Sequence, residues 1–83
     1  MLLGQKSARS RVAWFLLDMA DRAANDERLK LPMSREDIAD FLGLTMETVS
    51  RTFGVLQEEA VIALPSSREV LLKNRAALRS LAA

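Results

Sequence analysis

The sequence predicts a mostly α-helical domain with a small antiparallel β-sheet, and three observations carry this prediction. Apolar residues recur at spacings of three and four over residues 6–24, two short helical patterns meet at a glycine after residue 34, and two apolar runs after residue 60 flank a turn. Spacings of three and four place residues on one stripe of a helix, and apolar runs on both sides of a turn are typical of a β-hairpin. The chain has 83 residues, which is the size of a single domain.

The composition excludes several classes of protein. The chain contains no Cys and no His, which argues against a disulfide scaffold, a structural zinc site and an iron–sulfur cluster, and removes the commonest general base. No apolar run approaches the roughly 20 residues of a membrane span, and charged residues interrupt the N-terminus, so that it does not form a signal peptide. We therefore expect a soluble, cytoplasmic, non-enzymatic domain that needs no cofactor and no membrane.

The first helix is predicted over residues 6–24. Its apolar stripe consists of Ala8, Val12, Phe15, Leu16, Met19 and Ala23. Trp14 falls beside the centre of this stripe, where it serves either to pack between helices or as a contact surface for something that is not part of this chain. Residues 29–31 alternate as in a short strand, which Pro32 ends because proline cannot donate to a β-ladder.

Two further helices are predicted from their caps. Ser34 begins the first one, with Asp37 placed as in a capping box. Gly43 stands where the chain must turn left-handed, and Thr45 caps the next helix almost at once. Helices joined by about three residues with a glycine in the joint are the sequence form of a helix-turn-helix. The residues expected to be buried are Ile38, Phe41 and Leu42 in the first helix and Val49, Phe53 and Leu56 in the second.

A β-hairpin and a final helix complete the domain. Residues 61–64 and 69–72 are predicted strands, and residues 65–68 are the predicted turn between them. A hairpin after a helix-turn-helix makes the fold a winged helix-turn-helix. Asn74 is placed to cap a last helix whose apolar edge is Ala77, Leu78 and Leu81.

The second helix of such a unit, predicted at about residues 45–59, lies in the DNA major groove in known proteins. Glu47, Ser50 and Arg51 share its outer face, at i, i+3 and i+4. An arginine can pair with guanine through two hydrogen bonds, a glutamate can accept from the cytosine amino group, and a serine can bond to either partner. The alternative is a solvated helix face on which Glu47 and Arg51 form an ion pair.

The candidates for phosphate contact are hydroxyls and arginines near the helix N-termini and the hairpin turn: Arg35, Thr45, Thr48 and Arg68. Against this prediction, residues 31–64 carry two cations and six acidic residues, a net charge of −4. A single copy should therefore bind DNA weakly, and useful affinity needs two copies on a symmetric site. The same charge favours the alternative of a docking module that binds another protein.

Residues 34–51, SREDIADFLGLTMETVSR, resemble the helix-turn-helix of Crp/Fnr transcription regulators, and the Fnr/FixK branch most of all. The stretch from Leu3 to Ala13, the wing and the last helix fit the same family, so the resemblance covers nearly the whole chain. It implies that Glu47, Ser50 and Arg51 contact the bases of a TTGAT-like half-site in an inverted repeat, and that Arg35 contacts the backbone.

The resemblance also implies partners that the residues alone do not indicate. These are double-stranded DNA, a second copy in a homodimer of the full-length protein, and RNA polymerase. The sensor domain and dimerisation helix of that family have no counterpart among residues 1–83, so we expect a single DNA-binding domain excised from a longer protein. Ala60 stands where the family usually has glycine before the wing.

Overall fold

Four helices and one small three-stranded sheet form the part of the chain that the computed structural model describes, residues 6–23 and 28–83. Their order is α1 (Ala8–Arg22), β1 (Arg28–Lys30), α2 (Arg35–Leu42), α3 (Met46–Glu58), β2 (Ile62–Ser66), β3 (Glu69–Leu72) and α4 (Arg75–Ala82). The strands form an antiparallel sheet in the order β1-β3-β2. The predicted winged helix-turn-helix is therefore confirmed. Within the described residues, no helix is both long and apolar enough to cross a bilayer.

Helix α1 begins at the Ser7 cap, whose hydroxyl accepts from the Ser10 amide at 3.1 Å. It ends before Ala23, so the predicted helix over residues 6–24 was too long at both ends. The apolar stripe buries Val12, Phe15 and Leu16 against the core, and α1 packs mainly against α4. The stripe extends further round the helix than predicted, because Ala13 and Ala20 are also buried whereas Ala23 is exposed.

The three remaining helix caps agree with their predictions. The Ser34 hydroxyl accepts from the Asp37 amide at 3.2 Å, and the Thr45 hydroxyl accepts from the Thr48 amide at 3.1 Å. Asn74 Oδ1 accepts from the Ala77 amide at 3.0 Å. Each contact satisfies an amide that has no partner within its own helix. Leu78 is buried at the start of the second turn of α4, with Ala77 and Leu81 packed at its margin.

The prediction that Phe41 is buried was wrong. Helix α2 buries Ile38, Ala39 and Leu42, whereas the Phe41 side chain is 59% exposed. At 100° per residue the buried face is centred between Ile38 and Ala39, which leaves Phe41 at its edge. There its ring covers the partly buried Trp14, with 6.3 Å between ring centroids and 21° between ring planes. Trp14 is thus part of the packing between α1 and α2.

β3 covers residues 69–72 as predicted, whereas β1 and β2 lie slightly away from their predicted positions. β1 begins one residue before residues 29–31, and β2 covers residues 62–66 instead of 61–64, so the turn is reduced to Ser67 and Arg68. Pro65 is tolerated inside β2 because β2 is an edge strand, where a missing amide need not pair. The pairing with β3 is irregular between Ala63 and Ser66, around that proline.

Ala60 makes the bend between α3 and the wing. Its φ is +59°, in the left-handed region that a residue with a Cβ adopts only at a free-energy cost. Its amide donates to Gln57 O at 3.0 Å, and the next amide, that of Val61, donates to Leu56 O at 3.0 Å. This geometry explains why glycine suits the position in the family that the sequence resembles.

Candidate nucleic-acid interface

The joint between α2 and α3 has the geometry that its sequence predicts. Gly43 adopts a φ of +70°, and its amide donates to the carbonyls of Ala39 and Asp40 at the end of α2. Three residues separate the two helices. The reversal places the N-terminus of α3 at the surface, where Thr45, Met46 and Glu47 are all exposed.

The three predicted base-contacting residues lie together on the exposed side of α3. Glu47, Ser50 and Arg51 are exposed, whereas the opposite side of the helix is buried through Val49, Thr52, Phe53 and Leu56. The buried hydroxyl of Thr52 donates to Thr48 O at 2.7 Å, so it stays satisfied within the helix. The arrangement presents a carboxylate, a hydroxyl and a guanidinium within one and a quarter helical turns.

The alternative ion pair between Glu47 and Arg51 is not formed. Among the ion pairs of the described residues, none joins these two side chains. Both charges are therefore directed to solvent and are free to meet a ligand.

Thr45 and Thr48 form a short chain of hydroxyls at the start of α3. Thr45 Oγ1 accepts from the Thr48 amide and donates to Thr48 Oγ1 at 2.8 Å. The Thr45 hydroxyl thus caps the helix while it is bonded to the Thr48 hydroxyl. Both candidates for phosphate contact therefore lie together at the N-terminus of α3.

Arg35, in the first turn of α2, is held by α3. Its guanidinium carbon lies 4.1 Å from the centroid of the Phe53 ring, a cation–π contact between the two helices. Burial lowers the pKa of Arg35 from its ordinary value because it withdraws water from the charge. Nη1 is buried and has no hydrogen-bond partner among the residues that the structure describes. This contact could not be predicted from residue spacing, since it depends on how α2 packs against α3.

Arg68 lies apart from the other candidates, in the turn between β2 and β3. The residue is exposed, and its carbonyl accepts from the Leu31 amide at 2.7 Å, which ties the wing to the end of β1. A second tie is formed by Arg28, whose Nε donates to Glu69 Oε2 at 2.9 Å and lowers the pKa of that carboxyl. These contacts hold the Arg68 backbone at the tip of the wing while its side chain faces solvent.

Several cations outside this interface are engaged with protein groups. Arg9 is paired with Glu59, and Arg22 lies 3.2 Å from the Asp18 carboxylate. Arg11 donates to backbone carbonyls at the end of α2. These cations therefore contribute less positive charge to the exposed surface than the number of arginines in the sequence suggests.

Comparison with known proteins identifies the family to which this domain belongs. The profile of the Crp-like helix-turn-helix domain family matches residues 10–81, from α1 through the wing to α4. The chain belongs to this family. The resemblance to Crp/Fnr regulators that the sequence motif suggested is thereby confirmed.

The relatives of this Crp-like domain place it near the Fnr/FixK branch. It is 57% identical over 86 residues to the nitrogen fixation regulation protein FixK of Azorhizobium caulinodans, covering 98% of this chain and 35% of the relative. It is 35% identical over 86 residues to the fumarate and nitrate reduction regulatory protein of Escherichia coli (strain K12), covering 99% of this chain and 34% of the relative. The chain thus spans about a third of the length of these relatives, which are named as regulators.

A solved structure gives the same result for the fold. The structure of FixK2 from Bradyrhizobium japonicum superposes with a TM-score of 0.93 and 48% sequence identity, over 99% of this chain and 41% of that one. The CO-dependent transcription factor CooA from Carboxydothermus hydrogenoformans superposes with a TM-score of 0.82 and 28% identity. The winged helix-turn-helix of the Crp-like domain is shared across these regulators.

Proposed function

We propose that this Crp-like domain binds double-stranded DNA sequence-specifically and thereby regulates transcription in the cytoplasm. The observation that carries the proposal is the exposed set of Glu47, Ser50 and Arg51 at the start of α3, free of partners within the described residues and directly after the Gly43 turn. In a helix-turn-helix, this part of the second helix meets base edges in the major groove.

The proposed base contacts follow from the donors and acceptors of the three side chains. Arg51 pairs with the O6 and N7 acceptors of guanine, and Glu47 accepts from the N4 amino group of cytosine. Ser50 bonds to a neighbouring base or touches a thymine methyl group. A TTGAT-like half-site offers one G·C pair within A·T pairs, which suits one guanidinium, one carboxylate and one hydroxyl.

The proposed backbone contacts surround this face. Arg35 contacts a phosphate beside α3, the Thr48 hydroxyl donates to a phosphate at the N-terminus of α3, and Arg68 reaches the backbone from the wing. Thr45 contributes mainly through the cap that presents the α3 amides. Such contacts fix the position of the helix in the groove and supply affinity that is independent of sequence.

The proposal includes a dimer on an inverted repeat, because the net charge of −4 over residues 31–64 weakens a single copy. Two copies of α3 separated by one turn of DNA, about 34–36 Å, read the two half-sites together. In the whole regulator, activation also requires contact with RNA polymerase.

Fluorescence anisotropy tests the proposal. The chain is titrated into a duplex with a TTGAT-like inverted repeat and into a scrambled duplex of equal composition, at several salt concentrations. We expect at least about tenfold tighter binding to the repeat, since one bidentate base contact is worth about 1–3 kcal/mol. Binding to both duplexes should weaken steeply with salt. A docking module for another protein, the alternative that the acidic stretch favours, predicts neither result.

A further inference from the structure

Arg11 crosses from α1 to the joint of the helix-turn-helix. Its Nη1 donates to Leu42 O at 3.1 Å and to Gly43 O at 3.2 Å, while its Nε donates to Lys6 O at 3.0 Å. One guanidinium thus connects the segment before α1 with the last residue of α2 and the residue that makes the turn. By its spacing, Arg11 falls outside the apolar stripe of α1.

The end of α2 needs such a partner. The last carbonyls of a helix lack intrahelical partners and carry partial negative charge. The last turn of α2 contains no basic residue of its own. The amides of Gly43 and Leu44 donate to the carbonyls of Ala39 and Asp40, and Arg11 serves the Leu42 and Gly43 carbonyls that come after them. A charged donor from another helix therefore adds to the cap.

Arg11 also lies directly against the turn. A Cβ added to Gly43 would stand 3.5 Å from Arg11 Nη1, which is van der Waals contact. The guanidinium therefore donates hydrogen bonds to the Leu42 and Gly43 carbonyls and also packs against the side of Gly43 where a side chain would stand. Because α3 begins three residues after Gly43, the carbonyls that Arg11 holds lie within a few residues of the start of α3.

We infer that Arg11 is a positioning residue for base recognition: it sets the angle at which α3 presents Glu47 and Arg51, and it does so through the turn without touching DNA. This inference rests on the proposed function. Its physical basis is that a bidentate base contact tolerates displacements of only about 0.5 Å and 10–20°, whereas phosphate attraction tolerates much more. Loss of Arg11 should therefore reduce sequence discrimination more than affinity for DNA in general.

The test compares three variants at a temperature where each is folded by circular dichroism. Arg11→Met keeps the apolar stem but removes every donor. Arg11→Lys keeps the charge but replaces the planar fork by a compact ammonium. Arg79→Met is the matched control, because it removes an exposed cation on α4 by the same substitution.

For each variant, Kd is measured on the inverted-repeat duplex and on the scrambled duplex. We expect Arg11→Met and Arg11→Lys to lower the ratio of the two affinities by about tenfold, with binding to the scrambled duplex changed by no more than about twofold. Arg79→Met should leave the ratio unchanged. An unchanged ratio in Arg11→Met, or a wild-type ratio in Arg11→Lys, would overturn the inference. If Arg11→Met does not fold, Arg11→Lys alone decides.

A second measurement separates this inference from the proposed function. Amide hydrogen exchange of the free protein follows the Leu44 amide and the first turn of α3 in each variant. Faster exchange in the Arg11 variants, but not in Arg79→Met, supports the positioning of the turn even if the wild-type chain shows no preference for the repeat. Equal exchange in all variants contradicts it, whatever the DNA result.

Discussion

The guanidinium of Arg35 lies over the ring of Phe53, 4.1 Å from its centroid, so that the first turn of α2 is held against the middle of α3. A cation–π contact of this kind is worth about 0.5–1 kcal/mol at an exposed site and more where water is excluded. The contact also restricts the rotamers of a long side chain before any ligand binds. A pre-ordered arginine beside α3 is well suited to bind a phosphate.

Substitution of Arg35 should weaken DNA binding without altering its specificity. In Arg35→Ala, affinity should fall to a similar degree on the inverted-repeat and scrambled duplexes, because phosphates are common to both. The slope of log K against log salt should become shallower by about one unit, as expected when one phosphate contact is lost. Anisotropy titrations at four salt concentrations measure both quantities.

Arg35→Lys is the control for charge. It retains the cation but not the planar group that stacks on Phe53, so the salt slope should stay near that of the wild type while affinity falls modestly. A loss in Arg35→Ala that is confined to the inverted repeat would instead make Arg35 a base-contacting residue.

Substitution of Arg51, in contrast, should reduce the sequence preference of DNA binding as well as its affinity. Arg51→Ala should lose about 1–3 kcal/mol of binding free energy on the inverted repeat and lose its preference at the base pair it contacts. Arg51→Lys keeps the charge but not the bidentate geometry, and should recover non-specific affinity without recovering the preference. Competition with duplexes carrying all four base pairs at each half-site position measures this. Equal losses on every duplex would place Arg51 on the phosphate backbone.

The features that the sequence predicted correctly depend on residues that are close together in the chain. Ser34, Thr45 and Asn74 cap their helices through contacts three residues along the chain, and Gly43 turns left-handed because of its own backbone. These features need no knowledge of the tertiary fold. They were sufficient to place α3 and its exposed face.

What the sequence did not predict depends on contacts between distant elements. Phe41 has the spacing of a buried residue, but the direction in which α2 packs leaves it over Trp14. Pro65 is a turn signal locally, and only the position of β2 at the edge of the sheet allows it inside a strand. Arg11 and Arg35 are surface cations by pattern, and the packing of the helices determines their partners.

Ala60→Gly should stabilise the domain. The left-handed φ of +59° costs an L-residue roughly 1–2 kcal/mol, whereas the greater freedom of glycine in the unfolded chain costs about 0.4–1 kcal/mol. The Ala60 methyl is exposed and contributes little packing. A net gain of ~0.5–1 kcal/mol in the free energy of unfolding is expected from urea denaturation.

The same substitution on a helix provides the control for Ala60→Gly. Ala76 is exposed in α4, and Ala76→Gly should lose about 1 kcal/mol because glycine is a poor helix former. Opposite signs at the two positions would identify backbone conformation as the cause. A loss at both positions would mean that the bend after α3 is not left-handed in solution.

Glu47 provides the sharpest distinction between a DNA-reading face and a solvated one. Its carboxylate lies in the first turn of α3, where the helix dipole favours it, but phosphates repel it unless a cytosine amino group donates a hydrogen bond to it. Glu47→Ala should therefore reduce binding to the TTGAT-like repeat modestly, increase binding to repeats altered at the G·C pair, and increase non-specific binding. Anisotropy with duplexes carrying each of the four base pairs at that position gives the ranking.

Glu36→Ala is the matched control for Glu47→Ala, because Glu36 is also an exposed carboxylate in the first turn of a helix. Each substitution removes one negative charge, and with it an interaction with the helix dipole that is worth about 0.3–1 kcal/mol. The two variants should therefore change similarly in stability and in net charge. Only Glu47→Ala should reorder the four base pairs, since only that carboxylate lies with Ser50 and Arg51 on the outer face of α3. If both variants preserve the wild-type order, the role of Glu47 is limited to the helix dipole, and discrimination at the G·C pair must come from Arg51 alone.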